Sequence, residues 1–75
     1  MEIFIINNEQ YKFEVYKEVL TLYKMVVMPE PWGEQWIDAL TGDFLYGQVY
    51  GHYDGFTVQD LRIFIDKFDE IIRER

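Results

Sequence analysis

Cysteine and serine are both absent from this chain of 75 residues, and histidine occurs once. The absence of cysteine excludes a disulfide framework, a thiolate zinc site and a cysteine nucleophile. The absence of serine, with His52 as the single imidazole, excludes the common hydrolase triads. His52 and Asp54 lie two residues apart, but one imidazole and one carboxylate are too few ligands for a metal site. We therefore expect a non-enzymatic protein without a metal or a cofactor.

Long hydrophobic runs and a basic leader are also missing. Since nowhere do about 18 apolar residues run together, no helix is predicted to span a membrane. The first six residues lack the basic segment of a signal peptide, and their apolar run is too short for one. The expected location is cytoplasmic, which means the bacterial host's cytoplasm if a phage encodes the chain.

The hydrophobic content predicts one folded domain over residues 1–75. Hydrophobic residues make up 49% of the chain and aromatic residues 19%. A domain of this size buries only about 60% of its unfolded surface. Large rings compensate, because each removes a large area from water.

The acids are concentrated in the middle of the chain. Residues 25–61 contain six acids and no lysine or arginine, so they carry most of the net charge of -7. The same stretch holds both tryptophans and five other aromatic residues, Tyr53 among them. Carboxylates steer a basic partner and rings supply contact area, which predicts a docking surface. The predicted partner-binding residues are Glu30, Trp32, Glu34, Asp38, Asp43, Tyr46, Tyr50 and Asp54.

The alternative to a docking surface is that the acids form only a solvated surface and the rings belong to the core. We assign Trp36 to the core and expect Trp32, in a loop bounded by proline and glycine, to be the interface anchor. Without a basic cluster, direct binding to nucleic acid or to an anionic membrane is not expected.

The predicted fold class is α+β, an antiparallel meander of four or five strands with one C-terminal helix packed on the sheet. Residues 2–17 alternate as a β-hairpin around the polar turn 7–10. Residues 18–28 favour a strand because they are rich in β-branched and aromatic residues. The alternative is a helix over residues 14–27 with a smaller sheet.

A second hairpin is predicted over residues 35–47, turning at Thr41 and Gly42. Gly47, Gly51 and Gly55 follow at a spacing of four, and in a strand they would leave one face bare. The final helix is predicted from about Thr57 to Glu74, with Thr57 as N-cap and Asp60 completing a capping box. Its apolar stripe is expected to close the core. The stripe comprises Leu61, Phe64, Ile65, Phe68, Ile71 and Ile72.

Residues 6–10 and 29–40 are similar to the start and to the inhibitory loop of barstar-type ribonuclease inhibitors. The second segment reads Pro-Glu-Pro-Trp-Gly-Glu-Gln-Trp-Ile-Asp-Ala-Leu, and the family shows a Gly-x-Asn-x-Asp-Ala-Leu type of pattern after Pro-Glu. The resemblance implies that Asp38 enters a basic nuclease site and that Trp32 makes an aromatic contact. However, Gly42 stands where the family has a second aspartate, and the chain ends on a predicted helix instead of the family's last strand. The chain is therefore not assigned to that family.

These features predict a small acidic binding protein that inhibits or masks a basic, nucleic-acid-handling protein. In size and charge the chain resembles phage-encoded antagonists of bacterial defence, such as anti-CRISPR proteins, so a nuclease or a CRISPR effector is the expected partner. Two alternatives stay open. One is a toxin-immunity protein that inhibits a nuclease, and the other is a structural or regulatory protein that forms a homodimer through the glycine-marked strand.

Overall fold

The computed structural model describes residues 2–52 and 54–75, so Tyr53 lies outside the described residues. Over these residues, five strands form one antiparallel sheet in the order β1-β2-β3-β4-β5, and one helix follows them. This architecture confirms the predicted α+β meander with a C-terminal helix. The elements are β1 (Ile3–Ile6), β2 (Glu9–Tyr16), β3 (Val19–Met28), β4 (Gly33–Asp43), β5 (Gln48–Gly51) and α1 (Val58–Glu74).

The first half of the chain follows its predicted pattern, except that the turn is shorter than predicted, since residues 9–10 belong to β2. Asn7 and Asn8 alone form the loop between β1 and β2, and both have positive φ angles, 50° and 67°. Two such residues match the twist of the flanking strands, and asparagine tolerates this conformation. Residues 19–28 form a strand and not a helix, and that strand ends immediately before Pro29.

The predicted second hairpin is wrong in its turn. Thr41 and Gly42 lie inside the continuous strand β4, and the chain reverses later, over residues 44–47. Gly42 is needed for close packing, since a Cβ atom there would collide with the ring of Phe68 and lie 2.7 Å from that of Phe64. The helix approaches the sheet at this glycine.

The prediction that Gly47, Gly51 and Gly55 share one strand face is also wrong. Gly47 has φ +69° in the turn before β5, and Gly55 lies in the turn before α1. Only Gly51 belongs to a strand, and the ring of Phe56 lies against its Cα.

The helix begins as predicted. Thr57 is the N-cap, and it exchanges both capping-box hydrogen bonds with Asp60. Phe64 and Phe68 are buried and join Tyr11, Leu20, Leu22 and Leu40 in the core. Ile71 packs against this core, whereas Leu61, Ile65 and Ile72 stay exposed. Only part of the predicted stripe therefore closes the core.

One irregularity decides which way the middle of β4 faces. Leu22 pairs with Leu40 but Tyr23 pairs with Asp38, so Ala39 is an extra residue in β4. Side chains alternate along a strand, and one inserted residue reverses the alternation beyond it. Leu40 and Gly42 therefore face the helix, whereas Trp36 and Asp38 face the opposite side of the sheet.

No helix among the described residues is long and apolar enough to cross a membrane.

Candidate docking face

The side of the sheet opposite α1 carries a mixed aromatic and charged surface, which we call the helix-free face. Its side chains are assigned by the strand register and the alternation from the buried leucines. Among the described residues, no secondary-structure element packs over it. The residues are Ile3, Ile5, Gln10, Lys12, Glu14, Tyr16, Val19, Thr21, Tyr23, Met25, Val27, Glu34, Trp36, Asp38, Thr41, Asp43, Gln48 and Tyr50.

Two rings from neighbouring strands form the centre of this face. Tyr23 and Trp36 are both half-buried, and the Lys12 ammonium lies 5.5 Å from the Tyr23 ring centre and 4.5 Å from that of Trp36. A cation at these distances is attracted by the faces of the rings. The rings and the lysine therefore form one platform across β2, β3 and β4.

Carboxylates border the platform. Asp38 pairs directly with Tyr23, and Glu14 lies two residues along β2 from Lys12 on the same side. Burial, together with the negative charges of Glu14 and Asp38, raises the pKa of Tyr23. Both acids are therefore close enough to the Tyr23 hydroxyl to disfavour its ionisation.

The predicted partner-binding residues divide into two groups. Four of them, Glu34, Asp38, Asp43 and Tyr50, lie on the helix-free face. The other four lie in connections: Glu30 and Trp32 between β3 and β4, Tyr46 between β4 and β5, and Asp54 before α1.

The two groups are not one compact patch. The turns that hold Trp32 and Tyr46 are at opposite ends of β4, whose eleven residues span roughly 35 Å. Asp43 also has a structural task, because its Oδ1 accepts hydrogen bonds from the backbone N–H groups of Leu45 and Tyr46.

The assignment of Trp36 to the core is wrong, and the centre of the face was missed with it. Counted in steps of two along β4, Trp36 would share a face with the buried Leu40, but the extra residue Ala39 reverses that relation. The face of Lys12 and Tyr23 could have been predicted from the sequence. Both residues alternate strictly along β2 and β3 with the buried Tyr11, Leu20 and Leu22, so they lie on the opposite side of the sheet.

A second cluster of charged groups lies on the helix side and is buried. Asp60 has no exposed surface, and its carboxylate accepts hydrogen bonds from the Tyr11 hydroxyl at 2.5 Å and from Lys24 Nζ at 3.1 Å. Glu9 lies 3.3 Å from Lys24 Nζ, and the Thr57 backbone N–H donates to Asp60 at 2.9 Å. Every polar group of this cluster has a partner, so it fixes the start of α1 on the sheet.

The pKa values in this cluster follow from its geometry. Burial alone would raise the pKa of Asp60, but the hydrogen bonds from Tyr11, Thr57 and Lys24 lower it below its ordinary value. Burial likewise opposes the charge on Lys24, but Asp60 and Glu9 raise its pKa. Burial and the hydrogen bond to Asp60 raise the pKa of the Tyr11 hydroxyl. The pair is thus held in its charged form.

His52 and Asp54 are both exposed, and the backbone N–H of His52 donates to the Ala39 carbonyl. Within residues 2–52 and 54–75, no group of three or more histidines, aspartates and glutamates is placed to hold a metal ion.

No protein-family model, curated protein or solved structure matches the chain. The segment that is similar to the barstar-type inhibitory loop is not a loop here, because residues 33–40 belong to β4. Asp38 accordingly projects from the middle of a sheet.

Proposed function

We propose that the chain is a non-enzymatic binding protein whose helix-free face masks a basic surface of a nucleic-acid-handling protein, such as a nuclease or a CRISPR effector. The observation that carries the proposal is the aromatic platform of Tyr23 and Trp36, bordered by Glu14, Glu34 and Asp38. Rings with some exposed area at the centre and charges at the rim are the arrangement expected of a protein interface.

The sign of the charge favours a basic partner. Lys12 is the one base among the described strand residues of this face, and its ammonium lies over the rings. A negative face accelerates encounter with a positive one and repels phosphates. Its carboxylates would occupy positions on the partner that otherwise bind phosphate groups.

A capture experiment with matched charge reversals tests the proposal. The immobilised protein is exposed to a bacterial lysate. The bound proteins are identified by mass spectrometry, and their amounts are compared between the parent and two triple variants. The first variant carries Glu14→Lys, Glu34→Lys and Asp38→Lys, which reverse the sign of three charges on the helix-free face. Asp66→Lys, Glu70→Lys and Glu74→Lys make the same change of charge on the exposed side of α1.

We expect the face variant to lose the captured protein and the helix variant to keep it. Capture should also fall steeply as salt rises above about 0.1 M, where charges more than about 10 Å apart are screened. An added DNA oligonucleotide should compete with the chain for the partner. Equal capture by a folded face variant, or capture that neither salt nor DNA reduces, would overturn the proposal.

A further inference from the structure

Beside its buried positions the helix carries four apolar residues that stay exposed, and they border the core at Phe68. Val58, Leu61, Ile65 and Ile72 remain 66%, 37%, 41% and 42% exposed. With the buried Phe68 between Ile65 and Ile72, the spacing along this row is 3, 4, 3 and 4 residues. This is the spacing of residues that pack one helix against another in a coiled coil. We call these four exposed residues the helix ridge.

The ridge lies on the side of the helix that is turned toward β5, away from β1 and β2. Lys67 lines the opposite flank together with Phe4 and Phe13 of β1 and β2. Ile65, two residues before Lys67, projects from the other side of the helix. On that side, Val49 of β5 and the nearby Phe56 are 36% and 39% exposed. A second helix placed along the ridge would therefore also cover apolar side chains of the sheet.

The charges beside the ridge are self-complementary. Arg62 follows Leu61 and Asp69 follows Phe68, so both lie on the same side of the ridge, two helical turns apart. If two copies of the helix pack antiparallel, Arg62 of each copy comes beside Asp69 of the other. The Asp69 carboxylate also pairs with Arg73 of its own helix at 3.0 Å, so Arg62 of the second copy would be its second basic neighbour. A parallel arrangement would place each residue level with its own copy, so like charges would meet.

We infer that the helix ridge is the contact between two copies of this chain, packed antiparallel about a two-fold axis. Such an interface uses the same patch on both subunits, and both ion pairs form at once. A helix of this length is about 25 Å long, and a contact confined to it covers less than the roughly 800 Å² per partner of a standard interface. We therefore expect a weak, reversible dimer.

This contact is independent of the proposed function, since it uses the helix side of the sheet. Both helix-free faces stay uncovered in such a dimer. The homodimer predicted from the glycine spacing had the wrong surface, because Gly47 and Gly55 lie in turns.

Sedimentation velocity from about 1 μM to about 1 mM tests the inference. We expect the parent to pass from monomer to dimer within this range, also in 1 M NaCl, and Ile65→Lys to stay monomeric throughout. Val27→Lys, which changes an exposed residue of β3 away from the helix, should dimerise like the parent. Circular dichroism melts confirm that each variant is folded. A parent that is monomeric at 1 mM, or an Ile65→Lys variant that dimerises normally, would contradict the inference.

A mixing experiment tests the antiparallel arrangement. R62D and D69R each place like charges together twice across the two-fold axis, so each variant alone should dimerise at least about tenfold more weakly. An equimolar mixture restores both ion pairs, because the two positions are both acidic in the first variant and both basic in the second. Random pairing would make the mixed dimer half of all dimers, and we expect native mass spectrometry to show the mixed dimer well above that share. A statistical mixture would overturn the antiparallel contact.

Discussion

The two faces of the sheet differ in what they bury, although the same strands build both. The helix-covered face holds Leu20, Leu22, Leu40 and the rings of Phe64 and Phe68, all buried. A sheet that faces water on its other side normally alternates with polar residues there. Here β3 presents Tyr23, Met25 and Val27 on that side, so the helix-free face is more apolar than solvent contact alone requires. This excess is typical of a surface that meets a partner.

The comparison predicts that truncations on the covered face cost far more stability than truncations on the other. Phe64→Ala should lower the free energy of unfolding by about 3–5 kcal/mol, because it removes a fully buried ring and leaves a cavity. Met25→Ala, at a half-buried position of the helix-free face, should cost about 1 kcal/mol. Urea titrations measure both values. If the two variants lose the same stability, the faces do not differ in burial.

The buried Asp60 and the exposed Asp38 should also differ in how much they contribute to stability. Asp60→Ala should cost about 3–5 kcal/mol, because it leaves the buried Lys24 ammonium without its main partner. Asp38→Ala removes an exposed carboxylate and should change stability by less than about 0.5 kcal/mol. Thermal melts of the two variants at neutral pH check this. An unchanged melt for Asp60→Ala would mean that the buried cluster does not hold the helix on the sheet.

The stability lost when a glycine near the helix is changed to alanine should depend on how far the neighbouring side chains can move. Gly42→Ala should cost about 1–3 kcal/mol, because the added Cβ meets the rings of Phe64 and Phe68, both buried. Gly51→Ala meets only Phe56, which is 39% exposed and has room to turn away. We expect its cost to be clearly smaller. The opposite order in urea titrations would show that the helix does not approach β4 at Gly42.

Gly42 also shows how far the sequence predicts the fold. Alternation, the Asn7–Asn8 turn and the capping box are local signals, and each led to the correct element. Because glycine is common in turns, the sequence predicts a turn at Gly42. The glycine is instead required by the close approach of α1, which lies far away in the sequence. The prediction that residues 47, 51 and 55 share a strand face is wrong for the same reason. A glycine in the sequence does not show whether a turn or a close approach requires it.

The candidate site was predictable only in part, for a related reason. The acids Glu34 and Asp38 could be selected from charge distribution alone. Trp36 could not be assigned to its face, because the extra residue at Ala39 is set by pairing with β3 and leaves no mark in the sequence of β4. The register also brought in Lys12 and Tyr23 from strands outside the acidic segment.

The pH dependence of stability should be set by the buried cluster of Asp60, Lys24 and Tyr11. Since the folded pKa of Asp60 is below its ordinary 3.8, its contribution is complete above that pH and is lost as the pH falls toward the folded pKa. Since the folded pKa of Lys24 is above its ordinary 10.5, its contribution is complete below that pH and is lost as the pH rises further. Since the folded pKa of Tyr11 is raised above its ordinary 10.0, its contribution is also lost at high pH. Melts of the parent from about pH 2 to about pH 12 should decline at both ends. In Asp60→Asn the decline below pH 3.8 should be shallower than in the parent.

The smallest effect on stability, and the finest test of the helix-free face, is expected from Lys12→Gln. The ammonium contributes about 0.5–1 kcal/mol by lying over the rings of Trp36 and Tyr23, so the melt should fall only slightly. Capture of a basic partner should instead improve a few-fold, because the change removes the one positive charge among the described strand residues of that face. Lys67→Gln on α1 makes the same change of charge elsewhere and should leave capture unchanged. Weaker capture by Lys12→Gln would show that the lysine itself contacts the partner, and that the partner surface it meets is acidic.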